Sequence, residues 1–334
     1  MRAIREGFEA LARGLSSGDT SHLAEMHVMT SGLKVLVSTT AIQDLETVRR
    51  SMGGGTGAAR LPVWGGYQRR YEGENFVLDQ QVLRAALKTF RALIRLVADQ
   101  PSLFSTTPPR AAASLSPSSY YLRLLLDKQL VRPELGPDSW THPATAILLL
   151  EWCAALLLHE ATQTLAAPEG TATQRISRAV TEVFVAARVG EMIGGLSKTL
   201  KQREAALVEK VYILYLLTTI ESALVDLLSF GLFRAMPTSD PPRSRDPTRA
   251  LRLAIATLCG ELLPQAVGLS DAFGFSDWEL DSALGVYDGN VYETLWARAQ
   301  EEPLNQTEVT EAYEASIRPM LLRGQSMAAT KPKL

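Results

Sequence analysis

Cysteine, histidine and strand-like alternation are what this sequence has least of. Two cysteines in 334 residues, Cys153 and Cys259, are too few for a disulfide framework and suit a reducing compartment. The histidines, His22, His27, His142 and His159, are scattered and have no HExxH or CxxC companion, so no metal site is expected. The 34 basic and 36 acidic residues leave a net charge of −2. No basic field is therefore present to draw nucleic acid, and no acidic tail is seen. The start, MRAIREGFEALARGL, is amphipathic, but it carries Glu6 and Glu9 and no apolar signal core follows it. A transit or secretory leader is not expected there. The most apolar run, ATAILLLEWCAALLLHEA (144–161), is broken by Glu151, His159 and Glu160. A membrane span needs about 20 largely uncharged residues, so a buried helix and no membrane span are expected.

What is present is helical periodicity. The chain is 46% hydrophobic, enough for a sizeable core. Residues 22–52 repeat apolar side chains at three and four spacings, as a packed helix does. A glycine-rich break follows at Gly53–Gly57, then an irregular piece, then a second long helix from about Glu74 to Asp99. Pro101 and the stretch STTPPRAAASLSPSS (105–119) read as a linker. Helical patterning resumes at YYLRLLLDKQL, over 143–166, and over 173–233, which is long enough for a helix pair. MPTSDPPRSRDP (236–247) is a polar loop. Residues 248–322 alternate short helices with turns such as Tyr287-Asp288-Gly289-Asn290. The expected fold class is all-α. The expected division is a first helical bundle over 1–104, the linker, a second helical domain over 120–325, and a flexible tail over 326–334.

Few residues invite chemistry. MGGGTG lacks the preceding strand of a dinucleotide fingerprint and the Lys-Ser/Thr of a P-loop. Two readings stand for it: an ordinary helix–helix loop, or a turn whose free N–H groups cradle a phosphate. Glu72, in RRYEGENFVLDQQVLRAALK (69–88), stands on a turn beside a glycine. It reads as a loop carboxylate near a helix N-terminus, where acids are favoured, or as a general base if its pKa is raised. Arg69 and Arg70 precede it and would lower that pKa if close. Trp140, Trp152, Trp278 and Trp296 fall in apolar helical context and suggest core or interface packing. Arg243, Arg245 and Arg249 suggest a solvated loop.

Taken in order, these pieces resemble a known family. SGLKVLVSTTAIQDLETVRRSMGGGTG followed by YEGENFVLDQQVLR is similar to the C-terminal helical region of the peroxisomal acyl-CoA oxidases. The matching positions are Leu33-Lys34, Thr40-Ala41, Arg50, Gly54-Gly55-Thr56-Gly57, Glu72-Gly73-Glu74-Asn75, Gln81 and Arg84. DAFGFSDWELDSALGVYDGNVYETLWARAQEEPLNQTEV (271–309) resembles the oxidases' terminal helical domain. The resemblance covers essentially the whole chain, but only the back half of a family member; the N-terminal helical and β-barrel domains have no counterpart. The chain is several residues shorter than the family between the glycine turn and Glu72. Thr56 and Ala58 replace a histidine and an aromatic, and Gln68, Arg69 and Arg70 replace small polar residues.

The resemblance implies FAD as cofactor, with fatty acyl-CoA and dioxygen as substrates. It implies Glu72 as the base that removes the α-proton, giving a trans-2-enoyl-CoA and hydrogen peroxide. It also implies that the turn of Gly54, Gly55 and Gly57, with Arg50, approaches the FAD of a partner subunit in a homodimer. For Gln81 and Arg84, which open the following helix, it implies no sharper role than helping to form the wall of the cofactor site. The alternative is a non-catalytic helical paralogue that pairs with a full-length oxidase. The last residues, Lys331-Pro332-Lys333-Leu334, resemble a peroxisomal tag read by an import receptor; without it the expected location is cytoplasmic.

Overall fold

The computed structural model describes residues 2–19, 21–51, 73–99, 115–126, 133, 135–163, 170–196, 198–233 and 246–329. The glycine turn, Glu72, most of the expected linker and the last five residues therefore lie outside the described residues. Helix α1 (Arg2–Ser16) turns through Ser17, Gly18 and Asp19 into α2 (Ser21–Ser51). Gly18 takes a φ of +80° there, which a glycine adopts without steric cost. Helix α3 (Asn75–Asp99) buries Leu78, Val82, Ala86, Phe90 and Leu93. Steps of four and three put these on one stripe, the ordinary signature of a helix packed by one face. His27 meets Gln81 while Lys34 meets Gly73, so α2 and α3 run antiparallel.

The rest of the core is built around α4 (Pro143–Gln163), which buries residues on nearly every side, among them Leu149, Trp152, Ala155 and Leu158. This is the apolar run of the sequence, and by length and composition it could cross a membrane. Here it is enclosed by α3, α5 (Gly170–Leu196), α6 (Gln202–Ser222) and α7 (Leu224–Ser229). Its acid, Glu151, is paired with Arg123 through two 2.6 Å hydrogen bonds. Arg123 comes from a short 3-10 helix, Tyr120–Leu125, and lies 4.2 Å over the Tyr120 ring. Helix α6 closes on α5 where Tyr212 Oη donates to the Ala186 carbonyl at 2.6 Å. A Cβ at Gly190 would stand 2.6 Å from that hydroxyl, so glycine allows the approach. Helix α8 (Pro247–Leu262) starts after Asp246, whose side chain accepts from Thr248 N at 2.9 Å and caps it.

No strand occurs among the described residues, and the fold is all-α. By compactness the chain divides after Ala266. Helices α2 and α3 pack on α5, so segments on both sides of the expected 105–119 linker share one core. After α9 (Ala266–Asp271), the second unit, Val267–Leu334, holds α10 (Asp277–Leu280), α11 (Val291–Glu301) and α12 (Arg318–Ala329). Ser276 and Glu279 form a reciprocal capping box at the start of α10. The Tyr287–Asn290 turn has Gly289 at φ +77°. Residues 326–329, expected in the tail, belong to α12. The tryptophans divide: Trp140 and Trp152 are buried, whereas Trp278 and Trp296 are exposed. The second unit buries little of itself, Ala283 being its one buried apolar residue among those described.

Candidate active site at the α2–α3 seam

The Glu-Gly-Glu-Asn motif enters α3 through Gly73, whose φ of +112° is outside the range comfortable for other residues. The Glu74 carbonyl accepts from the amides of Val77 and Leu78, at 3.0 and 3.1 Å, and starts the helix. Asn75, the first helical residue, is 8% exposed. A buried amide must be satisfied, and α2 does this. Asn75 Nδ2 donates to Ser38 Oγ at 3.0 Å and to Thr39 Oγ1 at 3.3 Å. Lys34, one helical turn before Ser38, donates from Nζ to Asn75 Oδ1 and to the Gly73 carbonyl, each at 2.7 Å. The turn that follows Glu72 is thus fastened to α2 by a cation.

Beside this seam lies a cavity of about 720 Å3 bordered by α2, α3, α5 and α7, with Cys153 of α4 and Ser222 of α6 also lining it. Asp79, one turn along α3 from Asn75, faces it. Burial pushes the Asp79 carboxyl up to about 6, a hydrogen bond with Ser177 opposes that shift, and Glu74 adds to it. Glu182 is also raised, first by burial, with its Arg178 partner at 2.7 Å opposing the shift. Asp226 pairs with Arg175 at 3.5 Å. Cys153 lines the same cavity, and burial, then the charges of Asp226 and Glu182, push its thiol up to about 12. Such a thiol stays protonated and is a poor nucleophile.

Of the residues singled out in the sequence, Glu72, Gly54, Gly55 and Gly57 lie outside the described residues. Arg50 stands exposed near the end of α2, 2.8 Å from Glu46. Gln81 Oε1 lies 2.8 Å from His27 Nε2 near the other end. At a rise of about 1.5 Å per residue, His27 and Arg50 are roughly 35 Å apart along α2. Arg50 and Gln81 are therefore not brought together within one subunit. Arg84, exposed, donates to Gln80 Oε1 at 3.3 Å. No group of three or more histidines, cysteines or acids suited to a metal occurs among the described residues. The sequence reading gave Lys34 no role and did not consider Asp79. The available signal was Lys34 and Ser38 at i and i+4 on a helix that also had to bury one face.

The profile described as Acyl-CoA oxidase matches residues 142–322, and that described as Acyl-CoA oxidase, C-alpha1 domain, matches residues 1–87. Among curated relatives, peroxisomal acyl-coenzyme A oxidase 1 of Mus musculus is 28% identical over 338 residues, covering 96% of this chain and 47% of that protein. Peroxisomal acyl-coenzyme A oxidase 1 of Arabidopsis thaliana is 30% identical over 320 residues, covering 92% and 44%. The chain spans about half the length of the curated relatives it matches. Among solved structures, acyl-CoA oxidase-1 of Caenorhabditis elegans, complexed with FAD and ATP, superposes with a TM-score of 0.75 at 23% identity, over 96% of this chain and 47% of that one. Arabidopsis thaliana acyl-CoA oxidase 1 gives 0.73 at 23% identity, over 95% and 46%.

Proposed function

The chain belongs to the acyl-CoA oxidase family, and we propose that it carries the catalytic base of an FAD-dependent fatty acyl-CoA oxidase. What supports the reading is the fastened turn. A base that must meet a substrate α-carbon has to be held to within a fraction of an ångström. Gly73, next to Glu72, is the residue that Lys34 holds at 2.7 Å.

In this reading the Glu72 carboxylate takes the α-proton, which the thioester acidifies, and the α,β double bond forms as a hydride leaves the β-carbon. The flavin, when bound, supplies the acceptor for that hydride and the two electrons that reduce dioxygen to hydrogen peroxide. The donors suit a diphosphate-bearing cofactor. Arg50 is an exposed guanidinium three residues before the glycine run, and Gln81 offers an amide on α3. The spread of Arg50 and Gln81 along α2 fits a homodimer in which the Arg50 end and the turn of Gly54, Gly55 and Gly57 serve the partner subunit's cofactor. The division into a base-carrying bundle over 1–104 and a second helical domain over 120–325 belongs to the same proposal. So does peroxisomal import through the Pro-Lys-Leu end, which lies outside the described residues.

The test begins with the purified chain and FAD. Bound flavin is read by absorbance per mole of protein, and acyl-CoA-dependent peroxide formation is then measured. Glu72→Gln is expected to lower turnover by about 100-fold or more with flavin content unchanged. An unaltered rate in that variant rejects Glu72 as the base.

A further inference from the structure

We propose that the outer face of α8 is an interface between two copies of this chain, paired antiparallel about a two-fold axis. The helix carries two apolar stripes. Leu251, Ile255, Leu258 and Leu262 follow steps of four, three and four on the inner side. Leu251 and Leu262 are buried, and Ile255 and Leu258 pack on the core. By this side α8 lies on α6 and on the 3-10 helix Pro137–Thr141. Leu253, Ala256, Gly260 and Leu263 follow steps of three, four and three on the opposite side, and all four are exposed. Leu263 ends the helix in helical geometry, at φ −52° and ψ −44°, so the outer stripe is continuous. A surface helix turns polar groups outward, whereas one that is apolar all round is covered on both sides.

Gly260 points to a second helix as the cover. Glycine is among the least favoured residues for a helix interior, and a Cβ there would meet nothing within 4 Å. No contact within the subunit therefore calls for glycine, while the close approach of another helix does. The stripe also reads alike in both directions: leucine, small, small, leucine. Run antiparallel, Leu253 meets Leu263 of the partner subunit and Ala256 meets Gly260 of the partner subunit. This is the self-complementarity that a two-fold interface requires. No charge interrupts the stripe, and the charges beside it are held within the subunit, Arg252 by Glu221 at 3.4 Å and Glu261 by Lys210 at 2.8 Å. The stripe is about 15 Å long, which makes a small interface, and pairing is expected at micromolar concentration.

Sedimentation equilibrium of the chain without FAD measures the pairing, so the readout does not depend on the oxidase reading. Gly260→Leu places a side chain in open space on its own subunit and favours the helix. Its thermal midpoint is expected at or above that of wild type, while the association constant falls by about tenfold or more. Cys259, exposed beside the stripe, stands close to the two-fold axis. Mild oxidation is expected to join two wild-type chains through it, and to join few in Gly260→Leu. In a Cys259→Ser background, Leu253→Cys and Leu263→Cys chains are expected to cross-link when mixed, and neither with itself.

Equal association of wild type and folded Gly260→Leu assigns the association to another surface and overturns the proposal. If Gly260→Leu does not fold, the mixed cross-link decides alone, and its absence overturns the pairing. Cross-linking of Leu253→Cys with itself overturns the antiparallel arrangement. Association that requires added phosphatidylcholine vesicles makes the stripe a lipid-facing one and overturns it as well.

Discussion

Asp79 is a carboxylic acid placed where ionisation is costly. It is 3% exposed, and burial raises its pKa from 3.8 to about 6. In the unfolded chain the group ionises at its ordinary value, so the native state binds the extra proton between those two values. Its contribution to stability is therefore unpenalised below about pH 4, is lost as pH rises through 4 to 6, and stays lost above that. Asp79→Asn, which keeps an oxygen for Ser177, should be the more stable protein at neutral pH. The expected gain is about 1–2 kcal/mol after discounting for solvent in the cavity, vanishing near pH 4. Urea midpoints of both proteins from pH 4 to 8 measure it, and a difference independent of pH would show that the charge is not the cause. A carboxylate one turn into an amphipathic helix gives no sign of this in the sequence, because its burial depends on α5 lying across it.

At the scale of elements, α4 shows how an acid can sit within an apolar helix. Glu151 is 5% exposed and takes both hydrogen bonds of the Arg123 fork. Breaking such a pair from one side leaves a buried charge without its counterion. Arg123→Met is expected to cost about 3–5 kcal/mol of unfolding free energy, and the double substitution Arg123→Met with Glu151→Leu to recover most of it. Chemical denaturation of the three proteins decides this. A single variant as stable as wild type would mean that the Arg123 fork does not stabilise Glu151 in the fold. Glu151 as an interruption was legible in the sequence, and the helix it interrupts is enclosed by α3, α5, α6 and α7. Its partner was not, since Arg123 stands 28 residues earlier in a 3-10 turn that follows the segment read as linker. The helix pair expected within 173–233 is present as α5 and α6, with the short α7 added after Ala223.

At the scale of the whole molecule, the second compact unit presents an apolar surface. Trp278 is 88% exposed, Tyr287 84% and Tyr292 80%, and Phe273 and Phe275 are exposed and stacked 6.5 Å apart. Aromatic surface on this scale drives association or adsorption in water. The purified chain is expected to show a weight-average mass that rises with concentration in sedimentation equilibrium, and to bind a hydrophobic dye. A concentration-independent monomer mass would contradict it. The apolar context of Trp278 and Trp296 was visible in the sequence; that they are exposed while Trp140 and Trp152 are buried was not, because all four sit in similar local patterns.

By itself the sequence determined the all-α class, the extents of the long helices and the family, since these depend on local periodicity and on motifs carried in order along the chain. Glu72, the glycine turn and Arg50 stand out only through their place in that order of motifs, by the resemblance and not by residue type alone. Only the tertiary structure decided which polar groups meet. Lys34 reaches the Gly73 carbonyl, Arg123 finds Glu151, Asp79 is closed in by Ser177, and Arg50 and Gln81 stand at opposite ends of α2. Each of these depends on how whole helices lie against one another, and burial of apolar surface, which sets that packing, is non-directional and leaves no mark at any single position.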